Sequence, residues 1–139
     1  MRRLIVIFLL LGSFIFANEL KWEKDIPTAF NKALKENKTV MVFVSTSNCR
    51  WCVKMKKRTL LDNGIFKKLE NYILVKTIKD SKEAQKHLPE VEYVPTIFFY
   101  SPKKELYERV TGYFGVFDFL SWINDVELKK SLEIEKKKR

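Results

Sequence analysis

Cys49 and Cys52 are the only two cysteines of the chain, three positions apart in Cys49-Arg50-Trp51-Cys52. Two sulfurs so spaced can close a disulfide and open it again, which is redox chemistry. A permanent bridge across this spacing would close a very small loop. The loop-entropy stabilisation of a disulfide grows with loop size, so such a bridge would be a poor staple. The spacing therefore favours a reversible dithiol, in which one thiolate attacks a disulfide and the second sulfur resolves the mixed disulfide.

The surrounding elements must place those sulfurs. Thr39 to Ser45, reading Thr-Val-Met-Val-Phe-Val-Ser, is continuously apolar and β-branched. That pattern predicts a strand buried on both faces. Thr46-Ser47-Asn48 supplies turn and N-cap side chains, and no glycine or proline interrupts Cys49 to Leu60. The cysteines thus fall in the first turn of a helix that follows a central strand. There the unpaired backbone N–H groups and the helix dipole favour a thiolate, which makes Cys49 the candidate nucleophile. Cys52 lies one turn deeper and is the resolving thiol.

Arg50 adds positive charge beside Cys49. Lys54, Lys56, Lys57 and Arg58 make the rest of the helix basic, at distances where screening is expected to mute them. Trp51 offers an apolar surface to a peptide partner, against the plainer reading of packing at the domain edge.

Upstream, Asp25-Ile26-Pro27 reads as a helix start, with Ile26, Phe30, Ala33 and Leu34 on one face and an end at Asn37-Lys38. Downstream, a short helix is expected from Ile65 to Asn71, a strand from Tyr72 to Ile78, and a weak helix from Ser81 to Leu88. Thr96 to Tyr100 and Leu106 to Thr111 form a hairpin about Ser101-Pro102-Lys103-Lys104. A last helix buries Val116, Phe119, Leu120 and Ile123. This order predicts an α/β fold, a central mixed β-sheet with helices on both faces.

The chain has 139 residues, 46% of them hydrophobic, enough for one compact domain. Met1-Arg2-Arg3 followed by the apolar run Leu4 to Ala17 has the layout of a signal peptide, with Ala17 at the cleavage point. The run is short of the ~20 residues of a spanning helix. The expected mature domain is 18–139, exported to the periplasm or otherwise secreted, where disulfides form. The net charge of +10 is mostly spread lysine, with a cluster at Glu135-Lys136-Lys137-Lys138-Arg139. The tail is basic from about 129, and its terminal lysines are expected to form a frayed, soluble end. No aromatic-interleaved basic motif supports nucleic-acid binding, and no Ser-His-Asp set, phosphate loop or nucleotide fingerprint competes with the dithiol. A copper- or zinc-binding role is the rival from another class, but zinc wants four ligands and only one distant His87 could join the two cysteines.

The chain resembles the thioredoxin superfamily, and within it the secreted thioredoxin-like proteins and the periplasmic C-terminal domain of the transmembrane reductase DsbD. The matching pieces are the strand Val40 to Val44, the Cys-x-x-Cys helix with Met55 three after the second cysteine, Val94-Pro95-Thr96 before a strand, and Gly112-Tyr113 before the final helix. They cover Trp22 to Asp125. The resemblance implies a thioredoxin-like fold and a thiol–disulfide oxidoreductase with no cofactor beyond its own dithiol. Its partners would be protein disulfides or thiols of exported proteins, with a separate upstream electron donor or acceptor, and it would be a monomer. The resemblance also implies a cis peptide before Pro95, with Val94, Pro95 and Thr96 facing the sulfurs and Val94 offering its backbone to a substrate strand.

Two departures stand out. Phe43 occupies the position where thioredoxin buries an acid beneath its cysteines. Asn48 replaces the usual tryptophan, and Arg50-Trp51 replaces Gly-Pro. Thiolate stabilisation by Arg50 argues for an oxidase or isomerase, whereas the resemblance to a reductant domain argues for a reductase, the direction favoured here.

Overall fold

The computed structural model describes residues 18–139, so the signal segment expected at 1–17 lies outside the described residues. In chain order the elements are β1 (Trp22–Glu23), α1 (Ile26–Glu36), β2 (Thr39–Ser45), α2 (Arg50–Lys54), α3 (Asn63–Leu69), β3 (Tyr72–Ile78), α4 (Lys82–His87), β4 (Thr96–Tyr100), β5 (Leu106–Thr111) and α5 (Val116–Lys138). Helix α2 runs on without a break into one π turn, Met55–Thr59.

The strands form one sheet in the order β1-β3-β2-β4-β5. β1 and β2 run parallel to β3, whereas β4 is antiparallel to both β2 and β5. Every residue of β2 is buried, as a central strand requires. Its side chains alternate between two cores. Val40, Val42 and Val44 meet Ile26, Ala29, Phe30 and Ala33 of α1 on one face. Met41 and Phe43 meet Cys52 and Met55, Ile65 and Leu69 of α3, and Phe119, Ile123 and Val126 of α5 on the other. The expected mixed sheet with helices on both faces is thus present.

Local chemistry sets the helix ends. The Asp25 side chain accepts a hydrogen bond from Thr28 N, Pro27 occupies the first turn, and Asn37 closes α1 in the left-handed region at φ 51°. Ser81 caps α4 through Ala84 N. Glu83 ties α4 to α1, accepting from Ile26 N at 2.6 Å and from the Thr77 hydroxyl at 3.0 Å.

Three expectations require correction. Leu34 is 56% exposed, because the buried stripe of α1 follows Ile26, Ala29, Phe30 and Ala33, and Leu34 falls just past its edge. In α5, Val116 and Leu120 are only half-buried, and Val126 completes the inner face with Phe119 and Ile123. The terminal lysines do not fray: α5 is helical through Lys138. Its far end is pinned to β5, with Lys129 Nζ donating to Tyr107 O at 2.7 Å and to Glu108 Oε2 at 2.5 Å. The Tyr107 hydroxyl donates to Glu133, which also pairs with Lys137 one turn on. Among the described residues no helix is long and apolar enough to cross a membrane.

Candidate active site

The site forms where β2 leaves the sheet. Thr46 and the turn at Ser47-Asn48 follow β2, and Cys49 opens the helix. The N-cap is not Asn48 but Cys49 itself, in extended conformation (φ −93°, ψ 100°), whose Sγ accepts a hydrogen bond from Cys52 N at 3.0 Å. The two cysteines are joined as a disulfide with their Cα atoms 5.2 Å apart. Cys49 is half-buried and Cys52 is 1% exposed, packed into the core beside Phe43 and Met55. One sulfur is reachable from solvent and the other lies behind it.

Val94, Pro95 and Thr96 reach the same end of the sheet through strand register: Val44 of β2 pairs with Thr96 of β4. The Val94–Pro95 peptide is cis. Val94 is half-buried against the same core as Cys49, whereas Pro95 and Thr96 are buried. The Thr96 hydroxyl donates to Tyr93 O at 2.7 Å, which tightens the loop. Pro95 O accepts from Gly112 N at 2.8 Å, and Gly112 adopts φ +102°, a conformation that favours glycine.

Gly112 leads to Tyr113, whose ring lies 5.3 Å from that of Trp51. Lys54 Nζ sits 4.8 Å from both ring centres. Trp51 is nonetheless 51% exposed, so it packs at the domain edge on one side and presents an aromatic face on the other. The Thr59 hydroxyl, at the end of the π turn, donates to Phe114 O at 2.7 Å and fixes this loop to the cysteine helix.

An open pocket of about 410 Å³ adjoins the disulfide and is lined by Cys49, Cys52, Ser47, Lys56, Lys76 and Thr77, among others. The expectation that only Arg50 lies close enough to matter is corrected here. Arg50 is exposed and does not line this pocket, whereas Lys56, half-buried on the π turn, does. Screening was expected from sequence distance, but the helix brings Lys56 back over the sheet. Lys76 arrives by register, opposite Phe43 in the β2–β3 pairing. No spacing signal in the sequence brings Lys56 and Lys76 together.

Phe43 is fully buried, so an apolar ring fills the place of the acid. Trp22 packs edge-on against it at 6.2 Å. Among the described residues no group of three or more His, Cys, Asp or Glu side chains could hold a metal ion, and His87 lies in α4.

Comparison with known proteins agrees with this geometry. A family model described as a thioredoxin-like domain matches residues 26–127. Anterior gradient protein 3 of Mus musculus is 23% identical over 97 residues, covering 70% of this chain and 59% of that protein, so the chain spans about three fifths of its length. A thioredoxin from Thermus thermophilus superposes with a TM-score of 0.68 and 27% identity, over 79% of this chain and 88% of that one. The C-terminal domain of DsbD from Neisseria meningitidis, in its reduced form, superposes with a TM-score of 0.56 and 20% identity over 70% of this chain and 90% of that one, which is a likeness of fold.

Proposed function

This chain belongs to the thioredoxin-like domain family, and we propose that it is an extracytoplasmic thiol–disulfide oxidoreductase that reduces disulfides in exported proteins. The observation that carries the reading is the pairing of a half-buried Cys49, which caps its own helix, with a Cys52 that is 1% exposed. In the reduced chain the Cys49 thiolate attacks one sulfur of a partner disulfide. A Cys49–partner disulfide forms and one partner thiolate leaves. Cys52, after losing its proton, then attacks the Cys49 sulfur, closing Cys49–Cys52 and releasing the second partner thiolate. Two electrons pass to the partner, and a separate dithiol donor must restore the chain.

Val94, Pro95 and Thr96 border the attacking sulfur, with Val94 offering backbone groups to a substrate strand. Trp51 gives that strand an aromatic face, and Arg50 adds positive charge outside it. The dithiol is the whole redox centre, and the chain acts as a monomer. Export rests on the layout of Met1 to Ala17. Reduction rests on the likeness to thioredoxin. A second reading, oxidation or isomerisation of exported proteins, is favoured by Arg50, Lys56 and Lys76, because cations near the sulfurs stabilise thiolates and hence the reduced dithiol. Turnover of a protein disulfide by the purified chain with a dithiol donor tests the activity, and thiol labelling of the chain in its own cells tests direction. Absence of exchange would overturn the enzyme reading; a resting pair found mainly as the disulfide would reverse the direction.

A further inference from the structure

Lys56 and Lys76 occupy the wall of the disulfide pocket from two different elements. Lys56 Nζ lies 5.9 Å from the centre of the Phe43 ring, and Lys76 Nζ lies 5.8 Å from that of Trp22. The two rings touch edge to face at 6.2 Å. Phe43 is fully buried and neither ring lines the pocket, so the aromatic pair lies outside its lining, with one pocket lysine against each ring, an arrangement that holds ammonium groups in place without neutralising them.

Neither lysine belongs to an ion pair among the described residues, and no Asp or Glu lines the pocket. Glu83 reaches Thr77 from α4, accepting from the Ile26 N–H and the Thr77 hydroxyl, and keeps its negative charge on that side without pairing with either lysine. Ser47 and the half-buried Cys49 share the pocket wall. Two ammonium groups without an ion-pair partner among the described residues, the half-buried Lys56 and the exposed Lys76, therefore line the same pocket as the sulfur that attacks, and that pocket is wide enough for a side chain.

We infer that this pocket is a specificity site for an anionic group on the disulfide partner, a carboxylate within a residue or two of the cystine that Cys49 attacks. The inference rests on the exchange activity proposed above and names its substrate class. As the partner disulfide approaches Cys49, the neighbouring carboxylate enters between Lys56 and Lys76 and gains both charges, while a lysine there is repelled. Opposite charge at the point of encounter raises association rates, and salt removes the gain.

The test uses the reduced full chain and three disulfide-closed peptides, identical except for Glu, Gln or Lys next to one cysteine. Second-order exchange rates are measured near 0.01 M and near 1 M salt, where the Debye length is about 30 Å and about 3 Å. The expected order at low salt is Glu over Gln over Lys, with about tenfold between Glu and Gln. That ratio should approach one at high salt and in the Lys56→Gln/Lys76→Gln variant. Equal rates for all three peptides would overturn the inference, as would a Glu preference that survives in the variant. An equal fall for all three peptides in the variant would assign the lysines to the sulfurs instead and also overturn it. Failure of every peptide to exchange with the unaltered chain would remove the oxidoreductase reading itself, and the specificity site with it.

Discussion

Thr59 Oγ1 donates a 2.7 Å hydrogen bond to the Phe114 carbonyl, joining the π turn that follows Cys52 to the loop that carries Tyr113. Thr59 is fully buried. Thr59→Val keeps the shape and leaves the carbonyl without its donor, a loss of about 1–3 kcal/mol for a buried group. Thr59→Ser should recover most of it. Urea unfolding of the two variants checks this, and equal midpoints for Thr59→Val and the parent would show that the bond contributes nothing.

Phe43 stands where an acid would be needed to take the Cys52 proton from within the core. Restoring the acid should harm the fold. Phe43→Asp removes a buried ring and asks a carboxylate to sit in its place, a loss of about 3 kcal/mol or more. Phe43→Leu should cost less. Denaturant titrations at neutral pH decide the order, and a Phe43→Asp chain as stable as the parent would show that Lys56 neutralises the new charge.

Cys49→Ser and Cys52→Ser should behave differently because their exposures differ. With Cys52 replaced, the mixed disulfide on Cys49 has no internal resolving thiol and should accumulate as a covalent adduct with partner proteins. With Cys49 replaced, the buried Cys52 should capture little. Non-reducing electrophoresis reads the result, and the roles of the two sulfurs are exchanged if only Cys49→Ser traps partners.

The distal half of α5 depends on an ionised Glu133. The ammonium of Lys137, and after it the Tyr107 hydroxyl, hydrogen-bond to its carboxylate and hold its pKa below the ordinary 4.5. A carboxyl with a lowered folded pKa stabilises the folded state above its unfolded value, and that contribution is lost as pH falls through the folded value. The protection of the amides of residues 127–138, taken relative to the intrinsic exchange rate at each pH, should therefore fall as pH drops below about 4.5, and Glu133→Gln should show the reduced protection already at neutral pH. The partly exposed setting limits the effect to about 1 kcal/mol or less. Exchange that is the same in parent and variant at neutral pH would free α5 from this contact.

Much of the architecture was legible in the residues because it rests on uninterrupted patterns. Thr39–Ser45, Tyr72–Ile78, Thr96–Tyr100 and Leu106–Thr111 are strands over the spans their apolar runs predict. Asp25 with Pro27, and Ser81, mark helix starts by chemistry that acts within three residues. The two-residue β1 escapes, because Trp22–Glu23 is too short to show alternation and exists only by pairing with Leu74 and Val75. The π turn at Met55–Thr59 escapes because Met-Lys-Lys-Arg-Thr suits an ordinary helix equally well. For the site, Cys49 and Cys52 announce themselves by spacing, whereas Lys76 meets Lys56 only through the β2–β3 register. The order of α5 beyond Lys129 was hidden for the same reason, since its anchors lie on β5.

The pairing of Val44 with Thr96 has a consequence for the nascent chain. The parallel pair β2–β3 and the helix bearing both sulfurs are complete in sequence before β4 begins. A chain that has emerged only as far as α4 already carries its dithiol but lacks the Pro95 wall that borders it. Docking of the β4–β5 hairpin onto β2 supplies the Pro95 side of the site, so the surroundings of the dithiol are completed by a part of the chain that follows the cysteine helix in sequence.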